Sequence, residues 1–318
     1  MNKIGILTSG GDAPGMNAAI RAVVKAAEHY GRSIVGFQNG YEGLINGDFY
    51  DLTYEKVEDI ASKGGTILKT SRSAAFITEE GRQQAVHTLK ENNINNLIIV
   101  GGEGSFKGAQ KLHQLGVSVA AIPGTIDNDL TYTDYSIGFD TTLNTVLDCV
   151  RKIKDSGYSH NKTTIVEVMG RYCGDLAVYS ALAGEGEIIS TPEYKLTFDE
   201  ICHQLEKKIQ KGKSDNLILV TERMYDLQEL QHYIQEKMQV SARTTVLGFI
   251  QRGGEPSAFD RVLAAKMGVE AVSLLLNGQS GAAVGIRNNR IIHVSLDELE
   301  EQTADKSVNE SLLRVLLP

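Results

Sequence analysis

The sequence predicts an α/β fold of doubly wound parallel sheets. Short buried strands alternate with helical segments along the chain. Polar and charged residues recur just past the carboxyl ends of those strands. Two of the strand–helix turns are rich in glycine. This pattern places helices on both sides of a sheet, with a composite ligand site at the strand ends.

Residues 3–8 read as a short apolar strand that stops at Ser9-Gly10-Gly11-Asp12-Ala13-Pro14-Gly15, followed by an alanine-rich helix over about 16–30. Backbone N–H groups of such a loop can approach an anion closely, and the amino end of the next helix favours negative charge. A strand at 33–37 leads to Asn39-Gly40-Tyr41-Glu42-Gly43. Lys63-Gly64-Gly65-Thr66 opens a loop with Lys69 and Arg72, which either lie solvated or clamp phosphate; a helix follows at about 79–92. Residues 96–100 form a buried strand running into Gly101-Gly102-Glu103-Gly104-Ser105 and a helix over about 106–115. This turn is not a dinucleotide fingerprint, because no acidic residue follows at the distance needed to grip a ribose. Nor is it a P-loop, because Gly-Lys-Ser/Thr is missing.

A buried strand over 117–122 ends at the turn Pro123-Gly124, and Thr125-Ile126-Asp127-Asn128-Asp129 follows. Two carboxylates this close repel unless a cation or a proton separates their roles. One would take a proton and the other would hold a metal or orient its neighbour; an Asx-rich turn capping the next helix is the bland alternative. Leu143, Val146, Leu147, Val150 and Ile153 recur at helical spacing over 141–153. The strand 163–168 ends in Met169-Gly170-Arg171, 216–221 in Glu222-Arg223, and 245–250 in Gln251-Arg252-Gly253-Gly254. An amphipathic helix at 198–211 exposes Lys207, Lys208 and Lys211. The acidic stretch 297–310 reads as a solvated helix or turn, and 312–317 as an apolar segment docked on the body.

The totals narrow the function. The chain has 318 residues, 42% apolar and 23% charged, the composition of a soluble protein of about two domains. Its net charge of -8 argues against a broad nucleic-acid or anionic-membrane surface, while leaving room for a local basic pocket. Cys149, Cys173 and Cys202 are too widely spaced for a disulfide framework or zinc site, and the seven histidines fall in no metal spacing. The absence of an apolar leader and of an 18-residue apolar run predicts a cytoplasmic protein. Glycine loops, paired acids and the arginines Arg171, Arg243 and Arg252 are the parts that phosphoryl transfer needs: positioning, Mg²⁺ and cationic clamps.

The motifs then become specific. Leu7-Thr8-Ser9-Gly10-Gly11-Asp12-Ala13-Pro14-Gly15-Met16-Asn17 resembles the amino-terminal signature of the bacterial ATP-dependent 6-phosphofructokinases. Pro123-Gly124-Thr125-Ile126-Asp127-Asn128-Asp129 is similar to their catalytic loop, and Glu167-Val168-Met169-Gly170-Arg171 and Gln251-Arg252-Gly253-Gly254 to their sugar-phosphate motifs. The resemblance runs from Lys3 to about Val294. It implies two Rossmann-like domains: an ATP-binding one at 1–138 plus about 252–305, and a sugar-phosphate-binding one at about 139–251 plus 306–318.

The resemblance implies transfer of phosphoryl from Mg-ATP to the 1-hydroxyl of fructose 6-phosphate. Asp127, Thr125, Asp129 and Arg171 are the implied catalytic residues. Gly11, Arg72, Ser73, Gly102, Glu103, Gly104 and Ser105 would hold ATP, with Glu103 on Mg²⁺. Thr125, Ile126, Asp127, Lys162, Met169, Gly170, Arg171, Glu222, Arg243, Phe249, Ile250, Gln251 and Arg252 would hold the sugar phosphate. Arg21, Ala22, Val23, Val24, Lys25, Lys154, Glu185, Gly186, Glu187, Lys211, Lys213, Ser214 and Asp215 would form an effector site for ADP or phosphoenolpyruvate between subunits of a homotetramer. Gly104 and Gly124 point to ATP, because pyrophosphate-dependent relatives carry Asp and Lys there.

Glu103 stands where the family usually has Asp, Lys162 where it has Arg, and Phe249 where it has His. Lys25, Lys154 and Lys211 replace arginines, and Ser71-Arg72-Ser73-Ala74-Ala75-Phe76 lacks the usual Pro-Glu. These departures also leave open a regulatory paralogue that binds nucleotide and sugar phosphate, or a kinase for another ketose 6-phosphate such as tagatose 6-phosphate.

Overall fold

The computed structural model describes residues 3–183, 186–299 and 315. They divide into two compact units, one of residues 3–141 and 252–299 and one within 142–251. The first unit opens with β1 (Lys3–Ser9), α1 (Met16–His29), β2 (Ile34–Phe37), α2 (Tyr41–Asn46), β3 (Phe49–Leu52) and α3 (Tyr54–Val57). A 3-10 turn (Ala75–Ile77), α4 (Glu79–Glu91), β4 (Ile94–Gly101), α5 (Glu103–Gln114) and β5 (Ser118–Pro123) follow, and then α6 (Phe139–His160). Next come β6 (Thr163–Val168), α7 (Asp175–Leu182), β7 (Ile188–Ser190), α8 (Phe198–Gln210), β8 (Asn216–Thr221), α9 (Leu227–Met238) and β9 (Ala242–Val246). A second 3-10 turn (Gly248–Arg252) precedes α10 (Ala258–Leu276), β10 (Ala282–Arg287) and β11 (Arg290–Ser295).

The first unit holds a seven-stranded sheet in the order β11-β10-β5-β4-β1-β2-β3. Its inner strands run parallel, and only the edge strands β3 and β11 are antiparallel. The inner strands β1 and β4 are buried on both faces, which is why they read as continuous apolar runs. β2 lies on one side of β1 and β4 on the other. The connections therefore diverge between β1 and β4, and a crevice opens at their carboxyl ends. Phe37, Leu97, Ile99 and Phe106 belong to the core that packs helices against this sheet.

The second unit holds a parallel four-stranded sheet in the order β7-β8-β6-β9. Its core gathers Ile165, Ile201, Leu205, Ile218 and Ile234. α8 starts with a full capping box, in which Thr197 accepts from the Glu200 amide and Glu200 accepts from the Thr197 amide.

Three sequence expectations are corrected. The strand expected at 245–250 is β9 at Ala242–Val246, because Gly248 turns the chain at φ 56 into a 3-10 turn. Val246, Phe249 and Ile250 are exposed, so their apolar run signals surface rather than a buried strand. Arg243 accordingly sits within β9, paired with Thr164, and not at a strand end. The helix expected at 106–115 begins at Glu103, so Glu103, Gly104 and Ser105 form its first turn. Only the first residues of the acidic stretch 297–310 are described, and the apolar stretch 312–317 lies outside the described residues apart from Val315.

The amino ends of α6 and α10 cap one another. Fully buried Asp260 accepts from the amides of Gly138 (2.9 Å) and Thr141 (2.8 Å) and from the Thr141 hydroxyl (2.5 Å). The Ser257 amide donates to the same hydroxyl at 2.9 Å, and Ser257 Oγ donates to Asp140 at 2.5 Å. Burial pushes Asp260 from 3.8 up to about 6, against the pull of its Thr141 and Gly138 hydrogen bonds. The unfolded chain releases this proton near pH 4 and the folded chain near 6, so the group's contribution to stability falls as pH rises between them and is flat above. The stability difference between wild type and Asp260→Asn, measured by urea unfolding, is expected to fall by about 3 kcal/mol across that window. A difference that does not vary with pH would rule out Asp260 as the raised acid.

Candidate active site

In the first unit three glycine-bearing strand ends lie side by side. β1, β4 and β5 are in register so that Ser9, Gly101 and Pro123 are lateral neighbours. The Gly124 amide donates to the Gly101 carbonyl at 2.9 Å. A Cβ at Gly101 would stand 2.5 Å from the Ser9 carbonyl oxygen and would also strike the Ser105 hydroxyl. Only glycine allows that approach. A Cβ at Gly102 would meet the Thr125 side chain at 3.4 Å, so the second and third loops touch. Gly102, Glu103, Gly104 and Ser105 thus bring the amino end of α5 to the catalytic-loop motif, with the helix dipole favouring an anion there.

Arg252 belongs to this first unit, and the sequence reading had grouped it with Arg171 and Arg243. Its guanidinium lies 3.9 Å from Asp12, and a Cβ at Gly11 would come within 2.9 Å of it. The first glycine loop is therefore packed against an arginine. The loop after α3 closes over it: Thr8 Oγ1 donates to the Lys69 carbonyl (2.8 Å) and Thr70 Oγ1 to the Gly10 carbonyl (2.7 Å).

Arg72 is exposed on that loop. Ser73 is half-buried: its hydroxyl donates to Glu42 at 2.5 Å and accepts from the Phe76 amide, so its side chain holds the loop in shape and leaves its backbone atoms to a ligand. Phe76 stacks on Tyr41 at 3.9 Å, and the Tyr41 hydroxyl donates to the Ser105 carbonyl at 2.5 Å. Tyr41 and Glu42 were missed as site supports; their signal was the turn Asn39-Gly40-Tyr41-Glu42-Gly43.

The loop carrying Asp127 is wound around one amide. Asn128, buried and at φ 53, accepts from the Ser136 amide (2.9 Å) and donates to the Asp134 carbonyl (3.2 Å). The Ser136 hydroxyl donates to the Thr125 carbonyl at 2.7 Å, and the Asp127 amide donates to Thr125 Oγ1 at 3.2 Å. The Ile126 side chain is buried, so it offers a ligand backbone atoms only. Asp127 and Asp129 are half-buried on the loop, while Asn128 turns inward. Glu103 and Asp129 line one cavity of about 380 Å³, and Glu103 pairs with Lys107 one helical turn on at 2.5 Å.

In the second unit Met169, Glu167, Glu222, Val246, Gly248 and Phe249 contribute to the lining of a cavity of about 150 Å³. The Arg171 amide donates to Glu222 at 3.1 Å, and the Glu222 amide donates to the Val168 carbonyl at 2.8 Å, which ties the ends of β6 and β8 together. Burial, and then the like charge of Glu222, hold Glu167 above the usual carboxylate range. Glu167 stood in a quoted motif but was given no role. Phe249 is 79% exposed, a large apolar ring at the cavity wall. The Gln251 side chain is fully buried, accepts from the Met169 amide (3.0 Å) and donates to the Gly248 carbonyl (3.0 Å). It shapes the loop from within. A Cβ on Gly170 (φ 138) would strike the Cys173 carbonyl, so this turn too requires glycine.

Of the expected effector positions, Ala22, Val23 and Val24 are buried along α1. Helical periodicity leaves Arg21 and Lys25 facing outward; Arg21 donates to the Glu58 carbonyl (3.1 Å), and Lys25 stands 4.9 Å over the Tyr54 ring. In the second unit Lys154, Glu187 and Asp215 line a small cleft together with Lys162, and Lys213 pairs with Glu187. Gly186 is packed against Ala181, Lys211 and Ser214 are exposed, and Glu185 lies outside the described residues.

Replacing Gln251 with Ala would leave the buried Met169 amide without its acceptor, at a cost of about 1–3 kcal/mol. Chemical denaturation is expected to show that loss. An unchanged midpoint would mean that the turn at 248–252 is held by other contacts.

The phosphofructokinase family model matches residues 3–275. An ATP-dependent 6-phosphofructokinase of Clostridium botulinum (strain Hall) is 50% identical over 298 residues, 94% of this chain and 93% of that protein. Among solved structures, the phosphofructokinase from Saccharomyces cerevisiae has a TM-score of 0.88 at 32% identity, covering 99% of this chain and 47% of that chain. The Pichia pastoris phosphofructokinase in the T-state gives 0.89 at 30%, covering 100% of this chain and 40% of that chain. The chain thus spans about half the length, or less, of these yeast chains and nearly all of the clostridial protein. On its own sequence as well as its fold, the chain belongs to the phosphofructokinase family.

Proposed function

We propose that this chain transfers the γ-phosphoryl group of ATP to the 1-hydroxyl of fructose 6-phosphate, giving fructose 1,6-bisphosphate and ADP, as a cytoplasmic enzyme of glycolysis. The observation that carries this reading is the alignment of three strand ends in the first unit, which sets two backbone anion cradles beside a loop bearing Asp127. Residues 3–141 and 252–299 are the ATP-binding domain in this reading, and 142–251 the sugar-phosphate-binding domain.

Gly11, Gly102 and the amides opening α5 receive the phosphates, and Arg72 adds charge from the adjoining loop. Gly124 has no room for a side chain, since a Cβ there would meet Val100 at 2.9 Å. Gly104 leaves open space. Asp127 accepts the proton of the attacking hydroxyl, and Thr125 and Asn128 hold its backbone in place. Glu222 and Arg243 bind the sugar phosphate in the second unit, and Arg171 stabilises the charge on the transferring group.

Glu103 and Asp129 would hold Mg²⁺. Their hard oxygens at one cavity suit it, and a site with few protein carboxylates leaves positions for phosphate and water. Bound there, the ion would neutralise charge on the phosphates. Effector control by ADP or phosphoenolpyruvate, at Lys154, Glu187 and Lys213 in a homotetramer, belongs to the same reading. Its support is the paired charge lining one cleft.

Purified protein given Mg-ATP and fructose 6-phosphate is expected to release ADP, and Asp127→Ser to lose at least about 10²-fold in turnover. Nucleotide binding without turnover would move the assignment to a regulatory paralogue. Turnover on tagatose 6-phosphate alone would move it to another ketose kinase. Phe249→His restores a hydrogen-bond donor at the cavity wall and is expected to lower the apparent KM for the sugar about tenfold. A KM that stays or rises would show that Phe249 does not limit sugar binding.

A further inference from the structure

β6 and β8 are adjacent and parallel, with Val168 opposite Thr221. Each is followed within a few residues by an arginine in the left-handed region, Arg171 at φ 57 and Arg223 at φ 68. Residues with a Cβ seldom adopt that backbone, and such strain clusters where a side chain is used. Tyr172 is 69% exposed, and both guanidiniums stand over its ring, Arg171 at 5.5 Å and Arg223 at 6.0 Å from the centroid. Arg223 is exposed and forms no ion pair with a carboxylate among the described residues. Glu222, directly before it, accepts the Arg171 amide and lines the cavity shared with Met169.

Burial does not account for Arg223, and charge pairing does not either. The ring orients its planar fork at low entropic cost. Two guanidiniums on one ring repel each other, and a dianion placed between them relieves that repulsion.

We infer that Arg223 is a second phosphate-binding guanidinium, which clamps a phosphate dianion together with Arg171, and that Tyr172 is the residue that positions both. The inference rests on the reading of the second unit as the sugar-phosphate side. Nothing in the family motifs quoted above assigns Arg223 a role.

The test is calorimetric titration of wild type, Arg223→Gly and Arg223→Lys with inorganic phosphate, fructose 6-phosphate and fructose 1,6-bisphosphate, alongside melting curves. Glycine relieves the left-handed strain, so Arg223→Gly is expected to melt at the wild-type temperature or above. Its affinity for inorganic phosphate and fructose 1,6-bisphosphate is expected to drop about tenfold to a hundredfold, and that for fructose 6-phosphate, which lacks the transferred group that Arg171 meets, to change less. Arg223→Lys keeps the charge without the fork and is expected to fall between. Unchanged affinities in a folded Arg223→Gly would overturn the inference, as would a wild type that binds none of the phosphates. The kinase reading stands or falls separately, on ADP release by wild type: a protein that binds phosphates through Arg223 without turnover would refute that reading and keep this one.

Discussion

At Gly101 the end of β4 passes so close to Ser9 and Ser105 that no side chain can be placed there. The rest of the first unit's site follows from that approach. Because β1, β4 and β5 end in register, the loops after them are neighbours before any side chain takes part. Backbone N–H groups are then available to an anion at fixed positions, with no rotamer entropy to lose. The acids of the third loop arrive next to that cradle because Gly124 donates to Gly101 itself.

Charged residues bear the proposed chemistry, but neutral amides hold the loops in shape. Asn17 is buried, donates to the carbonyls of Lys63 and Gly64 and accepts from the Ile67 amide, so it fixes the loop that leads to Arg72. Asn128 does the same for the Asp127 loop, and Gln251 for the turn at 248–252. A buried amide satisfies both donors and acceptors of the backbone without the desolvation cost of an ion. Asp260 and Asp175 are buried acids; Asp260 caps α6, and its raised pKa reflects the cost of placing charge there.

Side-chain direction is less legible in the sequence than element type. Ser73 and Gln251 lie in motifs that the resemblance connects with binding, yet both side chains serve the backbone. Ala22, Val23 and Val24 are buried because α1 packs an apolar face against its neighbours, α10 among them. Arg243 and Arg252 read as one set of strand-end cations, but one lies within β9 and the other in the first unit beside Asp12. Edge strands β3 and β11 left no clear signal, since half-exposed strands lack the continuous apolar run that betrayed β1 and β4.

The sequence by itself determined that strands and helices alternate, that glycine loops end β1 and β4, and that an acid-bearing loop ends β5. Those features depend on local chemistry: apolar runs bury, and glycine and Asx residues turn the chain where a strand ends. Only the tertiary structure decided which of those loops are neighbours and which side chains turn inward. Register joins Ser9, Gly101 and Pro123 across more than a hundred residues of chain, and Tyr172 gathers arginines from two strand ends. Such pairings are set by hydrogen bonds between strands distant in sequence, so no local pattern records them.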